Sequence, residues 1–152
     1  MLLSLVVWVG GVIFLSFGEA PTVFGVLPSR HMAGAVVGKS LTILHWMGLI
    51  SGVVYLVSSM AYSQMMRGRM HPFAARHVLI VLMLLLTAVS QFGITPRMRQ
   101  LRAEMAKPGA WHDSNQIEFD ALHQLSTWAE GGVLLLGLGV VVLTARRFGN
   151  SN

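Results

Sequence analysis

Residues 77–94 read HVLIVLMLLLTAVSQFGI, an apolar run without Asp, Glu, Lys or Arg that lies between Arg76 and Arg97. A helix needs about 20 mainly apolar residues to cross the hydrocarbon core of a bilayer, so this run predicts a membrane span. Three similar runs occupy residues 2–27, 33–66 and 122–145. Because backbone polar groups in lipid must bond within their own segment, we expect an all-α, integral membrane four-helix bundle.

The composition agrees with a protein that is solvated by lipid. The 152 residues are 54% hydrophobic with a mean hydropathy of +0.64, and only 11% are charged, against roughly a quarter in soluble domains. The absence of cysteine excludes disulfides and thiolate ligands. The net charge of +5 comes from basic residues that flank apolar runs, so we expect lipid headgroups and not nucleic acid as its partner.

The chain is expected to form a single domain, residues 1–152, with both termini on one side of the membrane. The first run lacks a basic leader, and cleavage after Ala20 would leave Pro21 at the new terminus, so we interpret it as a retained span. Basic residues number five on one side of the four spans and six on the other, which leaves the orientation open. We expect no internal repeat.

The segment between the third and fourth spans predicts a short amphipathic helix at the membrane interface. Met98, Leu101 and Met105 recur at helical spacing among arginines, a pattern typical of interfacial helices. Pro108 and Gly109 are expected to end this helix. Asp113 or Ser114 is then suited to cap the helix that leads into the fourth span.

Small residues predict where the spans pack closely. Gly48 and Gly52 lie four residues apart in the second span, Gly11 and Gly18 lie in the first, and Gly132 lies in the fourth. In lipid, helices associate through close packing and polar contacts, so small residues mark their contact faces. These glycines are therefore predicted packing positions, within one bundle or between two chains.

Polar side chains inside the spans are costly and are therefore candidate functional groups. All of the candidates fall toward the same end of the bundle, if the spans alternate in direction: Glu19, His45, Ser90, Gln91, His123, Ser126 and Glu130. On the fourth span, His123, Ser126 and Glu130 follow the spacing i, i+3, i+7 and share one helical face.

Several kinds of chemistry fit this cluster. His45 and His123 are candidate ligands of haem b or copper, with Ser126 and Glu130 supporting them. A proton relay is an alternative, because histidine gains and loses a proton near neutral pH. Ordinary hydrogen bonding between helices is the simplest interpretation. A second copper hypothesis concerns the Met/His-rich loop, which contains Met65, Met66, Met70 and His71.

Motifs of soluble enzymes are absent from the sequence. It contains no GxSxG, no phosphate-binding P-loop and no HExxH. We therefore expect a protein without enzymatic activity.

Six segments, in order, resemble the bacterial transmembrane protein 205-like family, labelled a domain of unknown function. They are WVGGVIFLSFGEAP (8–21), LPSRHMAGAVVG (27–38), LHWMGLISG (44–52), SQFGITPRMRQLRAEM (90–105), FDALHQLS (119–126) and EGGVLLLGL (130–138). The resemblance implies four membrane helices without an assigned reaction. It also implies a distant similarity to copper-resistance-D-type proteins and to a haem-carrying membrane protoporphyrinogen oxidase, which directs attention to His45 and His123. Glu19 departs from the family pattern.

From these observations we expect a small, non-catalytic, multi-pass membrane protein. We expect it to pack against other subunits as an accessory component of a larger energy-transducing complex. The alternative is a haem- or copper-handling membrane protein that uses His45 and His123. The bacterial resemblance places it in the inner, cytoplasmic membrane.

Overall fold

The computed structural model describes residues 1–67, 75–107 and 113–149, and these residues form helices with no strand. The α-helices are α1 (Leu2–Ile13), α2 (Ala20–Val26), α3 (Arg30–Arg67), α4 (Ala75–Val89), α5 (Thr95–Met105) and α6 (Asp113–Gly149), and π-helical segments join α1 to α2 (Phe14–Glu19) and α4 to α5 (Ser90–Ile94). Four stretches are long and apolar enough to cross a membrane: Leu2–Val26, Arg30–Met65, Ala75–Met105 and Ser114–Arg146. The prediction of an all-α bundle with four spans is confirmed.

Each of the four long helices contacts two neighbours in the bundle. The first packs on α3, α3 packs on α4, α4 packs on α6, and α6 returns to α1. Large apolar side chains cover the outside, where Leu3, Trp128 and Leu135 are more than 70% exposed. So much exposed apolar surface is unusual for a soluble monomer and suits a multi-pass protein whose outer face contacts lipid.

The two π-helical segments occur at matching places in the first and third long helices. Each contains a Phe-Gly pair, and each comes shortly before a proline: FGEAP at 17–21 and FGITP at 92–96. Proline has no backbone N–H, so the carbonyl four residues earlier loses its α-helical partner. In both segments the hydrogen bonds change to a spacing of five residues, as from Ala20 N–H to the Leu15 carbonyl and from Thr95 N–H to the Ser90 carbonyl.

These matching segments form a short internal repeat that the sequence analysis did not expect. The first and second long helices correspond to the third and fourth, with one π-helical segment in each pair. The helix therefore continues through Pro21 and Pro96 without a break, since the wider turn avoids the missing donor.

The amphipathic helix predicted between the third and fourth spans is present at Thr95–Met105, but it continues the third long helix directly. Thr95 keeps right-handed helical dihedrals at the junction. The segment packs against α6, where Arg97 donates two hydrogen bonds to Glu118, at 2.6 and 2.9 Å. The third and fourth long helices thus stay paired beyond the apolar span, and α5 is not a separate helix. Pro108 and Gly109, expected to end it, lie outside the described residues.

Close packing between the first two long helices depends on Trp8. Its side chain is 2% exposed and lies on the two glycines of α3, so that a methyl group at Gly48 would overlap the indole and one at Gly52 would come within 2.7 Å of it. A methyl group at Gly11 would come within 2.6 Å of Leu44, and one at Gly132 within 3.2 Å of Leu86. At Gly18 it would meet only Phe14 of the same helix.

Gly48→Ala should destabilise the bundle by about 1–3 kcal/mol, because the added methyl group forces the Trp8 indole out of its place between the helices. Thermal unfolding in mild detergent measures the effect. Gly10→Ala is the matched control, since a methyl group there would have no neighbour within 4 Å. Equal melting temperatures for the two variants would contradict the packing described here.

Candidate functional site

A buried histidine joins three of the four long helices. His45 of α3 is 1% exposed, and both of its ring nitrogens have side-chain partners. Nδ1 lies 3.0 Å from Oε1 of Gln91, and Nε2 lies 2.6 Å from Oε1 of Glu130. We call these three residues the His45 site.

Each partner reaches the histidine from a different helix. Gln91 belongs to the π-helical segment Ser90–Ile94 and is 5% exposed, and Glu130 comes from α6 with a side chain that is 13% exposed. Trp46 and Phe92 follow His45 and Gln91 in the chain and contact each other edge to face, with ring centroids 6.0 Å apart. The aromatic contact therefore holds α3 and the π-helical segment together beside the site.

The hydrogen-bond partners of His45 limit where the protons of the site can lie. The Gln91 carbonyl oxygen only accepts hydrogen bonds, so Nδ1 of His45 carries a hydrogen and donates it. The 2.6 Å distance between Nε2 and Glu130 places one proton between imidazole and carboxyl group, at a length typical of charge-assisted bonds. This proton is either on Nε2, facing a carboxylate, or on Glu130, facing a neutral ring. Both arrangements leave the pair without net charge.

The Gln91 amide allows a third arrangement with one proton fewer. After a half-turn of the amide, its NH₂ group donates to Nδ1, and His45 keeps a single hydrogen on Nε2. Glu130 is then a carboxylate that accepts from Nε2, and the pair carries one negative charge. The Gln91 amide can therefore hydrogen-bond Nδ1 of His45 whether or not that nitrogen carries a hydrogen.

The structure does not bring His123 to this site. His123 is exposed and stacks on Phe119, with centroids 6.3 Å apart and rings nearly parallel. Its backbone carbonyl accepts a hydrogen bond from the Thr127 hydroxyl. Contrary to the expectation, the structure does not place His45 and His123 facing each other. Ser126, from the same predicted face, is 5% exposed.

Polar groups also lie toward the opposite end of the bundle, which the sequence analysis did not expect. Ser59 and His77 are buried and hydrogen-bonded, with 2.8 Å between Oγ and Nε2. The hydroxyls of Tyr55 and Thr144 are 3.2 Å apart. A signal was present in α3, where Ser51, Tyr55, Ser59 and Ser63 recur every four residues on the buried face. The buried polar groups therefore extend over both halves of the bundle.

Residues 1–67, 75–107 and 113–149 contain no preformed metal site. No three His, Cys, Asp or Glu side chains converge there. The two nitrogens of His45 already contact protein oxygens. Met70 and His71 of the Met/His-rich loop lie outside the described residues, so that copper hypothesis stays a prediction.

The chain was compared with known families, curated proteins and solved structures. The profile of a family described as "Domain of unknown function (DUF4149)" matches residues 3–107, more than half of the chain. No curated protein and no solved structure matches. The match includes His45 and Gln91 and ends before Glu130. It bears out a domain of unknown function, while the similarity to transmembrane protein 205-like and copper-resistance-D-type proteins stays a prediction.

A double-mutant cycle of His45→Phe and Glu130→Gln should give a coupling energy of about 2 kcal/mol or more, because each single variant leaves a buried polar partner unpaired. An ordinary hydrogen bond between membrane helices averages only about 0.6 kcal/mol. Unfolding free energies in bicelles measure the coupling. Tyr55→Phe with Thr144→Val is the control cycle for a neutral buried pair. Similar coupling energies in both cycles would show that the pair of His45 and Glu130 is no stronger than an ordinary hydrogen bond between helices.

Proposed function

The chain belongs to the DUF4149 family, and from this premise we propose that it is a multi-pass membrane protein that binds and releases a proton within the bilayer. The proposed place of exchange is the His45 site. The proposal further assigns the chain an accessory role in a larger energy-transducing complex, to which it would contribute this proton-binding group.

The proposal is carried by one observation, the bond of 2.6 Å between a buried imidazole and a carboxyl group. Ionisable groups in membrane spans are expensive and usually serve transport, proton transfer or ligand binding. Here imidazole and carboxyl share a proton without net charge, which lowers the cost of burying them. The Gln91 amide supports both the protonated and the deprotonated arrangement, as its two ends differ in hydrogen-bonding character.

The neighbouring titratable groups do not pair with His45 or Glu130. Glu19 and Lys39 lie toward the same end of the bundle, and neither forms an ion pair with His45 or Glu130 among the described residues. Arg97 is engaged with Glu118. On α4, His77 bonds to Ser59 near the opposite end. The proposed exchange therefore depends on His45 and Glu130 as one unit, whose protonation belongs to the pair.

The proton hypothesis is favoured over haem or copper binding by the geometry of the same residues. A metal ligand needs a ring nitrogen with a free lone pair, and both nitrogens of His45 contact protein oxygens. His123 would have to turn away from Phe119 to join it. The haem or copper hypothesis stays open as a prediction, as do the bacterial inner membrane and the similarity to the transmembrane protein 205-like family.

Infrared difference spectra of the reconstituted protein between acidic and alkaline buffers should show a band that changes with protonation and arises from the Glu130 carboxyl group or the His45 ring. Either Glu130→Gln or His45→Phe should remove or shift this band, since each variant breaks the pair. Gln91→Leu should favour one protonation state of the His45 site, because it removes the amide that can hydrogen-bond Nδ1 in both states.

Glu118→Gln is the control for this experiment. It removes a carboxylate of the same chemistry from the exposed pair with Arg97 and should leave the band in place. A spectrum with no pH-dependent change that disappears in either Glu130→Gln or His45→Phe would refute proton exchange at the His45 site.

An accessory role is favoured by one outer face of α6. Trp128 and Leu135 are exposed there, and a methyl group at Gly131 between them would have no neighbour within 4 Å. Small residues flanked by large ones let a second helix approach closely. This face therefore suits a helix of another membrane subunit.

Mild-detergent native gels of tagged protein from its own membrane should show a complex larger than the free chain. Gly131→Phe should release the chain from that complex, because the phenyl ring occupies the space for a partner helix. Leu3→Phe, on the exposed outer face of α1, should leave the complex intact. Migration of the wild-type chain only as a free small protein would count against the accessory role.

A further inference from the structure

Glu19 is an acidic side chain within the first long helix that the His45 site does not use. It is partly buried at the end of the π-helical segment Phe14–Glu19, seven residues before α2 ends at Val26. At a rise of about 1.5 Å per residue, this places it roughly 10 Å inside the first long helix. Carboxyl groups at such a position are rare unless they serve a function.

No described residue balances this carboxyl group. It forms no hydrogen bond and no ion pair with residues 1–67, 75–107 or 113–149. Lys39 is the neighbour of Ser40, which lines the same cavity as Glu19, but Lys39 does not lie within ion-pair distance of the Glu19 carboxyl group. The carboxyl group is therefore available to a molecule from outside the chain.

Glu19 borders a cleft between the first long helix and α3. The cleft has a volume of about 230 Å³ and is lined almost wholly by carbon, including Phe14, Ile43 and Met47. Cavities of about 150 Å³ in other proteins already hold benzene, so this volume accepts a group of that size with substituents. The Phe14 ring in its wall is of the kind that contacts organic cations favourably.

The cleft opens toward the lipid. Phe14 and Ile43 on its rim are more than half exposed on the outer face of the bundle. A hydrated metal ion is a poor occupant, because carbon walls replace none of its water ligands. An organic cation with an apolar body matches both parts of the cleft, since its body contacts carbon while its charge faces Glu19.

From this combination we infer a second site, independent of the His45 site, that binds a hydrophobic organic cation between Glu19 and α3. The cation enters from the bilayer, into which such molecules partition. Phe14 and Met47 contact its apolar body, and Glu19 provides the opposite charge.

Equilibrium dialysis of the full chain in nanodiscs tests this site with benzyltrimethylammonium, whose charge does not depend on pH. Its neutral isostere, neopentylbenzene, reports binding to the cleft without charge, and empty nanodiscs correct for partition into lipid. We expect the cation to bind more tightly than the isostere. Glu19→Gln should weaken cation binding by about tenfold or more, as a lost charged contact does, and leave the isostere unchanged.

Two further variants complete the test. Glu104→Gln makes the same substitution in α5, away from the cleft, and should not alter binding. Ser40→Phe fills the cleft and should weaken binding of both compounds, while circular dichroism and thermal unfolding in mild detergent report that the fold is retained. Equal binding of the cation to wild type and Glu19→Gln, no preference for the cation, or binding that survives Ser40→Phe would each overturn the inference.

Discussion

A helix in hydrocarbon must satisfy its backbone polar groups by itself, and two prolines in this chain work against that requirement. Pro21 and Pro96 each remove one donor from a helix that crosses the membrane. In both helices a π-helical segment ends two residues before the proline. The wide turns also carry chemistry, since one holds Gln91 against His45 and the other ends at Glu19. The π-helical segments that compensate for the prolines therefore also carry residues of both proposed sites.

Side-chain polarity in the bundle follows the same requirement. His45 is almost completely buried, and its neighbours supply an acceptor and a carboxyl group for its two nitrogens. Toward the opposite end, Ser59 pairs with His77, and Tyr55 pairs with Thr144. Between them, Trp8 fills the middle of the bundle against the glycines of α3. The bundle interior therefore alternates between polar layers and a tightly packed apolar layer.

Much of the architecture could be predicted from hydropathy alone, because length and apolarity decide which segments cross a bilayer. The site could be predicted in part: alternating span directions brought His45, Gln91 and Glu130 to one end. The position of His123 could not be predicted. Its spacing from Ser126 and Glu130 shows a shared face, but only the rotation of α6 in the bundle decides which edge of that face is buried. His77 was overlooked because it begins a span, whereas the FGEAP and FGITP segments were visible in the sequence as a repeat.

The duplicated wide turn has a consequence for how this chain tolerates change. Each residue of an α-helix turns the chain by about 100°, so deleting one residue from Ser90–Ile94 would swing the preceding part of the helix around its axis relative to the part that follows. Gln91 would then point away from His45, although all three residues of the His45 site were unchanged. The number of residues in this segment is therefore as important to the His45 site as their identity.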